Sequence, residues 1–301
     1  MTQITLQPDL RVLRAQNPSP LTGDGTNTYL LGEGDLCVID PGPSDPRHLE
    51  AILRAVSATG TLRAILVTHA HLDHSPLARP LAEASGAPIM GFGDAQAGRS
   101  ARMDALAASG LVGGGEGVDH GFRPDTCLAD GQVIEIGAQH LRAIWTPGHF
   151  GNHLCFAWGD VIFSGDHVMG WSSTLVSPPD GDLSAYMRSL DRLDHLGARR
   201  LYPGHGAQID DPAQRIAELR AHRMARMAQI LEALGSGAQT VAELVAQIYT
   251  ETPVTMHKAA GRNVLAHLID LEARGLVVAH PDLSADARFT RVPTELRPQG
   301  A

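Results

Sequence analysis

Lysine is nearly absent from this sequence: among 301 residues there is one, Lys258, and Lys and Arg together number 24 against 33 Asp and Glu. The net charge of −9 excludes a protein that holds nucleic acid through a broad basic surface, since phosphate contacts need a local excess of cations. The deficit is uneven. Residues 1–212 carry 14 basic against 24 acidic side chains, and residues 213–301 carry 10 against 9, so neither part has a strong basic excess, though the count leaves room for a local basic groove. No apolar run reaches the 18 residues a membrane span requires, and the start, MTQITLQPDLRVLRAQNP, lacks the basic-then-apolar order of a secretion signal. The expectation is a cytoplasmic protein with no membrane partner. Cys37, Cys127 and Cys155 are too few and too widely spaced for a disulfide framework or a metal knuckle, and each reads as a buried free thiol in a strand. There is no internal repeat and no low-complexity tract.

What is present suits an ordinary globular chain, 43% hydrophobic and 19% charged, long enough for one large domain and a smaller one. Residues 1–211 read as short strands interspersed with helices. TNTYLLG, DLCVID, AILVT, QVIEI, HLRAIW, HLCFAW, VIFS and RLYP are strand-like, with a hairpin turn at Gly159 and Asp160. Leu49, Ile52, Leu53 and Val56 stand at helical spacing, and a helix covers about Leu183 to Leu196. Ser75 before Pro76 resembles a helix N-cap, with Pro80 displacing the true start by a few residues. Residues 91–125, rich in glycine, read as a mobile excursion. From 212 to 301 the character changes to a long helix to about Gly235, two further helices in TVAELVAQIYT and HKAAGRNVLAHLIDLEARG, and strands LVVAH and RFTRV. That order resembles a winged helix.

The chemistry concentrates in VTHAHLDHSP, which puts His69, His71, Asp73 and His74 within six residues at the end of an apolar strand. Alternate residues of an extended segment share a face, so His69 and His71 can converge on one ion while the loop turns Asp73 and His74 toward a second. Three later strand ends supply His149, Asp166 and His205, making seven ligands for two adjacent metals. Imidazole with a minority of carboxylate suits zinc, with iron or manganese as alternatives. Most of the 15 histidines, including His48, His120, His140, His195, His257 and His280, are expected to be surface or packing residues. His167 follows Asp166 and reads as packing too.

THAHLDH, TPGH, FSGD and YPGH, preceded by NTYLL and VIDPG, resemble the metallo-β-lactamase superfamily, a four-layer αββα hydrolase fold. The resemblance implies that His69, His71 and His149 hold one zinc, that Asp73, His74 and His205 hold the other, and that Asp166 bridges them. It implies hydrolysis by a hydroxide shared between the metals, oriented by Asp73, with Asp73 and Asp166 as the catalytic carboxylates. True β-lactamases of this fold share the histidine-rich loop but lack the aspartate found here at 166. The C-terminal winged-helix-like segment makes the chain similar to the lactamase-β-2-like group, whose animal members are single-strand endoribonucleases.

The expected domains are a catalytic unit over 1–211 and a long linker helix with a winged helix over 212–301. The expected substrate is a small ester, thioester or lactone, because an acidic catalytic unit offers no track for a polyanion. RNA is the alternative partner, guided by a recognition helix bearing Lys258, Arg262 and Arg274. A third reading makes the winged helix a module that closes the pocket or forms a homodimer. His153, Trp171 and Asn27 are candidates near the substrate: His153 four residues after His149, Trp171 as a stacking surface, Asn27 as a turn residue beside the site.

Overall fold

Along the strands of the first unit, successive side chains enter two different cores, and this alternation sets the architecture. The computed structural model describes residues 3–113 and 117–293; residues 114–116 of the expected excursion lie outside that range. One sheet has seven strands in the order β1 (Gln3–Gln7), β2 (Leu10–Arg14), β3 (Asn27–Leu31), β4 (Gly34–Ile39), β5 (Gly60–Leu66), β6 (Ile89–Gly91) and β7 (Thr126–Cys127), antiparallel as far as β4 and parallel from there on. The second has β8 (Val133–Ile136), β9 (Gln139–Trp145), β10 (Leu154–Trp158), β11 (Val161–Gly165) and β12 (Arg200–Pro203), with β12 parallel to β11 and the rest antiparallel.

Tyr29, Leu31, Cys37 and Ile39 of the first sheet meet Leu141, Phe156, Phe163 and Tyr202 of the second in a core between the sheets. Their sequence neighbours Leu30, Leu36, Val38 and Ile65 face outward, under α1 (Pro46–Ser57) and α2 (Ala78–Ser85). On the far side Ile144, Cys155, Ile162 and Leu201 face α4 (Leu183–His195) and the first half of α5 (Pro212–Ala233), which contributes Ile216 and Leu219. Sheets buried on both faces explain why the strands are near-continuous apolar runs. The layers are helix, sheet, sheet, helix.

The second half of α5 belongs to another core, where Ile230 and Ala233 join α6 (Val241–Ile248), α7 (His257–Ala273) and a small sheet of β13 (Gln239–Thr240), β15 (Arg288–Arg291) and β14 (Val277–His280). Three helices with a hairpin form the winged helix.

Several expectations need correction. The 91–125 excursion carries α3 (Ala101–Ala108), capped by Ser100, and its Met103 and Leu106 are buried in the C-terminal core. Sparse apolar spacing hid that helix, since only two of its side chains reach a core. Ser75 is not an N-cap: its hydroxyl donates to His71 O and Asp119 Oδ2, and α2 starts at Ala78 with Pro80 in its first turn, where a missing N–H costs nothing. Cys127 is exposed, because β7 is a two-residue strand at the sheet edge; Cys37 and Cys155 are buried as expected, and all three are free. No described helix is long and apolar enough to cross a membrane.

Candidate metal centre

β5 delivers the chain into the histidine-rich loop, and Asp40 at the end of neighbouring β4 fixes it there. Asp40 Oδ1 accepts from Thr68 N at 2.7 Å, and Oδ2 accepts from Thr68 Oγ1 at 2.7 Å and faces His74 Nδ1 at 2.8 Å. Its φ of 52° is the one positive value at a non-glycine residue among the described residues, a conformation tolerated where surrounding bonds over-determine it.

The ligand candidates form two adjoining groups. His69 Nε2 lies 2.9 Å from His71 Nδ1, and His149 Nε2 lies 3.3 and 3.1 Å from these two atoms. Beside them His74 Nε2 is 3.3 Å from His205 Nε2, and Asp73 Oδ2 is 3.1 Å from His205 Nε2. Asp166 reaches both groups: Oδ2 is 3.3 Å from His205 Nε2 and 3.8 Å from His149 Nε2, and Oδ1 is 3.4 Å from His74 Nε2. Within each of the two sets, His69, His71, His149, Asp166 and Asp73, His74, Asp166, His205, all ligand atoms lie within 4.8 Å of one another, and every residue is buried.

The glycines that precede these ligands permit the crowding. A Cβ on Gly204 would lie 2.4 Å from Asp166 Oδ1, and one on Gly165, where φ is +48°, would lie 2.6 Å from His153 Nε2.

Charge in this pocket is divided. Burial, followed by the neighbouring imidazoles, holds His69 well below the ordinary histidine range, and burial with the adjacent His149 pushes His71 down to about 3. Burial lowers His149 as well, so all three rings are neutral and free to ligate. On the other side burial opposes ionisation, but the carboxylates of Asp73, Asp166 and Asp40 raise His74, and Asp166 with Asp73 lifts His205 to about 10. Burial works against Asp73 and Asp166 too and is outweighed by His74 and His205, which hold both carboxyls low. Both oxygens of Asp73 and Oδ1 of Asp166 are buried without a donor in hydrogen-bond geometry. Such orphaned anionic oxygens, facing five imidazole nitrogens, fit a pair of divalent cations.

The outer layer contains residues the motifs did not single out. Leu175 O and Thr174 Oγ1 approach His149 Nδ1 at 2.7 and 3.1 Å, and Thr68 Oγ1 approaches His69 Nδ1 at 2.9 Å. Asp40 was visible in VIDPG, but no local spacing ties it to His74; β4–β5 pairing does.

None of the three substrate candidates is among the residues that line the cavity above the two groups. His153 is fully buried, with Nδ1 2.8 Å from Thr146 Oγ1 and Nε2 accepting from Asp166 N at 3.3 Å, so it supports the aspartate from behind. Asn27 donates through Nδ2 to Pro203 O and Gly206 O and shapes the His205 loop. Trp171 is exposed and lies over Gly206, whose added Cβ would come 2.7 Å from its Cδ1. His167 is buried against Tyr186, its ring 4.6 Å away, and belongs to neither ligand group.

Above the two groups opens a cavity of about 140 Å³ whose floor is His71, His149 and Asp166. Leu21, Met169 and Leu175 of the first unit form one side; Tyr249, Met256 and Ala260 of the C-terminal unit form the other. Among the described residues no Lys or Arg lines it.

Residues 21–205 match the Metallo-beta-lactamase superfamily and residues 240–286 the Beta-lactamase associated winged helix domain. The chain belongs to the metallo-beta-lactamase superfamily. It is a hydrolase of that metal-dependent superfamily, and the two His/Asp groups are the side chains that could hold metal ions. Within the superfamily it is similar to the Drosophila melanogaster beta-lactamase-like protein 2 homolog, 32% identical over 299 residues that cover 91% of this chain and 90% of that one. It is also 31% identical to an atrochrysone carboxyl ACP thioesterase of Aspergillus fumigatus, over 79% of this chain and 72% of that protein. Among solved structures, a metallo-beta-lactamase family protein from Thermus thermophilus superposes with a TM-score of 0.77 at 29% identity, covering 96% of this chain and all of that one.

Proposed function

We propose that this metallo-beta-lactamase superfamily member is a dinuclear zinc hydrolase of a small ester, thioester or lactone, acting in the cytoplasm. The observation that carries the reading is the cavity: its floor is the candidate metal site, its walls combine apolar and hydroxyl-bearing side chains, and among the described residues no Lys or Arg lines it to track a phosphate chain. The Aspergillus fumigatus relative, named as a thioesterase, supports the same reaction class. Three free thiols in a chain without disulfides accord with a reducing compartment.

His69, His71 and His149 would hold one ion, Asp73, His74 and His205 the other, with Asp166 between them. Two zinc ions bound there would supply Lewis acidity toward the scissile carbonyl and toward water. Asp73, whose two buried oxygens have no donor in hydrogen-bond geometry, would orient the attacking water. His153 and Thr174 hold the Asp166 backbone from both sides, through N and O respectively, and so fix the point from which its carboxylate would reach both ions. Apolar walls exclude bulk water from the acyl group.

The helix expected to read nucleic acid supports this reading as well. Seven α7 side chains from Val264 to Leu271 pack into the cores or against them, and Arg262 donates to Val112 O and Gly113 O while Arg274 turns to Asp270. The test is zinc-loaded protein with an Asp166→Ala control, on a panel of thioesters and lactones and on a labelled single-stranded RNA. Expected is turnover confined to the acyl panel, with the variant short of about one metal per chain and reduced at least 100-fold in rate. RNA cleavage that disappears in the variant, without acyl turnover, would replace the proposal with a nuclease.

A further inference from the structure

We propose that Asn263, on α7 of the winged-helix unit, is a substrate-binding residue whose side-chain N–H groups donate to an oxygen acceptor in the acyl part of the substrate. The assignment rests on the acyl-hydrolase reading above and adds to it a preference for acyl groups that carry such an acceptor.

The orientation of this amide follows from its partners. Asn263 Oδ1 receives Val176 N at 3.1 Å and Arg223 Nη1 at 3.0 Å. Both partners are donors only, so the atom facing them has to be the oxygen and the assignment is not open to an amide flip. Nδ2 is thereby turned away, and it makes no hydrogen bond to any described residue. The residue lines the same cavity as His71, His149 and Asp166. Around it the wall is apolar at Leu175, Met256, Ala259 and Ala260, with the hydroxyls of Ser172, Ser173, Thr174 and Thr252 elsewhere in the lining. A donor fixed in such a wall gains most from a ligand that brings an acceptor, and discriminates against one that leaves it unmatched.

Arg223 is the positioning residue behind it. The residue is 3% exposed, no carboxylate among the described residues pairs with it, and its guanidinium is engaged by Asn263 Oδ1, by Thr174 O and by the Tyr186 ring at 5.3 Å. Thr174 and Leu175 in turn contact His149, so one arginine sets both the amide and the segment that orients a metal ligand. Desolvating a guanidinium without a counter-ion is costly, and here it fixes, together with Val176 N, an amide whose Nδ2 the fold leaves unused.

The test uses zinc-loaded full chain and a series of N-acetylcysteamine thioesters of one length, either all-carbon or with an ether oxygen replacing one methylene at each position in turn. The informative variant is Asn263→Asp, which keeps an oxygen for Val176 N and Arg223 but presents an acceptor to the cavity in place of a donor. For the wild type, kcat/KM should favour one ether position by about tenfold over the all-carbon chain; in Asn263→Asp that ratio should fall to one or below with metal content unchanged. Calorimetric titration of the matching non-hydrolysable amides reads the same preference without turnover. Thioesters left intact while the amides still discriminate through Asn263 would remove the acyl-hydrolase reading and keep Asn263 as a binding residue. Amides that do not bind, or bind the two proteins with the same ratio, would overturn the inference.

Discussion

At the scale of single residues, the proposed second metal position depends on a side chain outside both ligand groups. Asp40 accepts from His74 Nδ1 at 2.8 Å and so leaves Nε2 to face the cation, while its other oxygen ties down Thr68 N. Carboxylates behind metal-bound imidazoles typically set affinity by 10- to 100-fold. Asp40→Asn, which tolerates the positive φ, should therefore weaken binding of the second zinc by about that factor and leave the first site near its wild-type affinity. Competition with a chromophoric chelator resolves the two steps; equal loss at both would contradict the assigned role.

His48 supplies a pH dependence remote from the metals. It is fully buried on α1 with Nε2 2.8 Å from Thr28 Oγ1, and burial pushes its pKa down to about 4 despite the opposing charge of Asp45. A histidine that is neutral in the folded state and protonates near 6.5 when unfolded favours the folded form only at higher pH. Its contribution is intact above about 6.5 and is lost as pH falls from there toward 4, on the order of 3 kcal/mol at most. In urea unfolding of metal-free protein, His48→Gln should lose less stability than wild type between pH 6.5 and 4. Parallel losses would show that the ring carries no such linkage.

Among the elements, α3 is the surprise with a mechanical consequence. It sits in a segment of the first unit, yet Met103 and Leu106 enter the core of the second, and Arg102 pairs with Glu272 of α7. The cavity wall formed by Tyr249 and Met256 is thus pinned to the catalytic unit through a helix as well as through α5. Leu106→Ala, at 7% exposure, should cost about 2–3 kcal/mol by lost burial and an unfilled cavity. Seen by thermal denaturation, that loss should fall on the C-terminal core; an unchanged melting temperature would mean the contact contributes nothing.

For the whole molecule, charge and shape agree on the class of substrate. The −9 chain has a cavity without cations, and the arginine-bearing helix is spent on internal contacts. Single-stranded RNA should therefore bind weakly, with a log-affinity against log-salt slope shallower than about −3 in a gel-shift series. A steeper slope would show several phosphates neutralised at once and locate a basic track outside the cavity.

How much of this was legible in the chain depended on the range of the interactions. Local patterns were enough for His69, His71, Asp73 and His74, because four ligand types within six residues leave little else for them to do, and for the strands whose side chains alternate between two cores. The same patterns announced Gly-His and Gly-Asp at three strand ends, since only glycine lets the backbones approach so closely. Long-range pairing decided the remainder. Asp40 reaches His74 across 34 positions, Arg223 reaches Asn263 across 40, and His153 turns its ring to the Asp166 backbone instead of to a ligand. Helical spacing marked α7 as a helix but could not say that its polar side chains would face a catalytic cavity and the loops around it. Periodicity reports which residues seek an interior; only the packed structure determines whose interior they share.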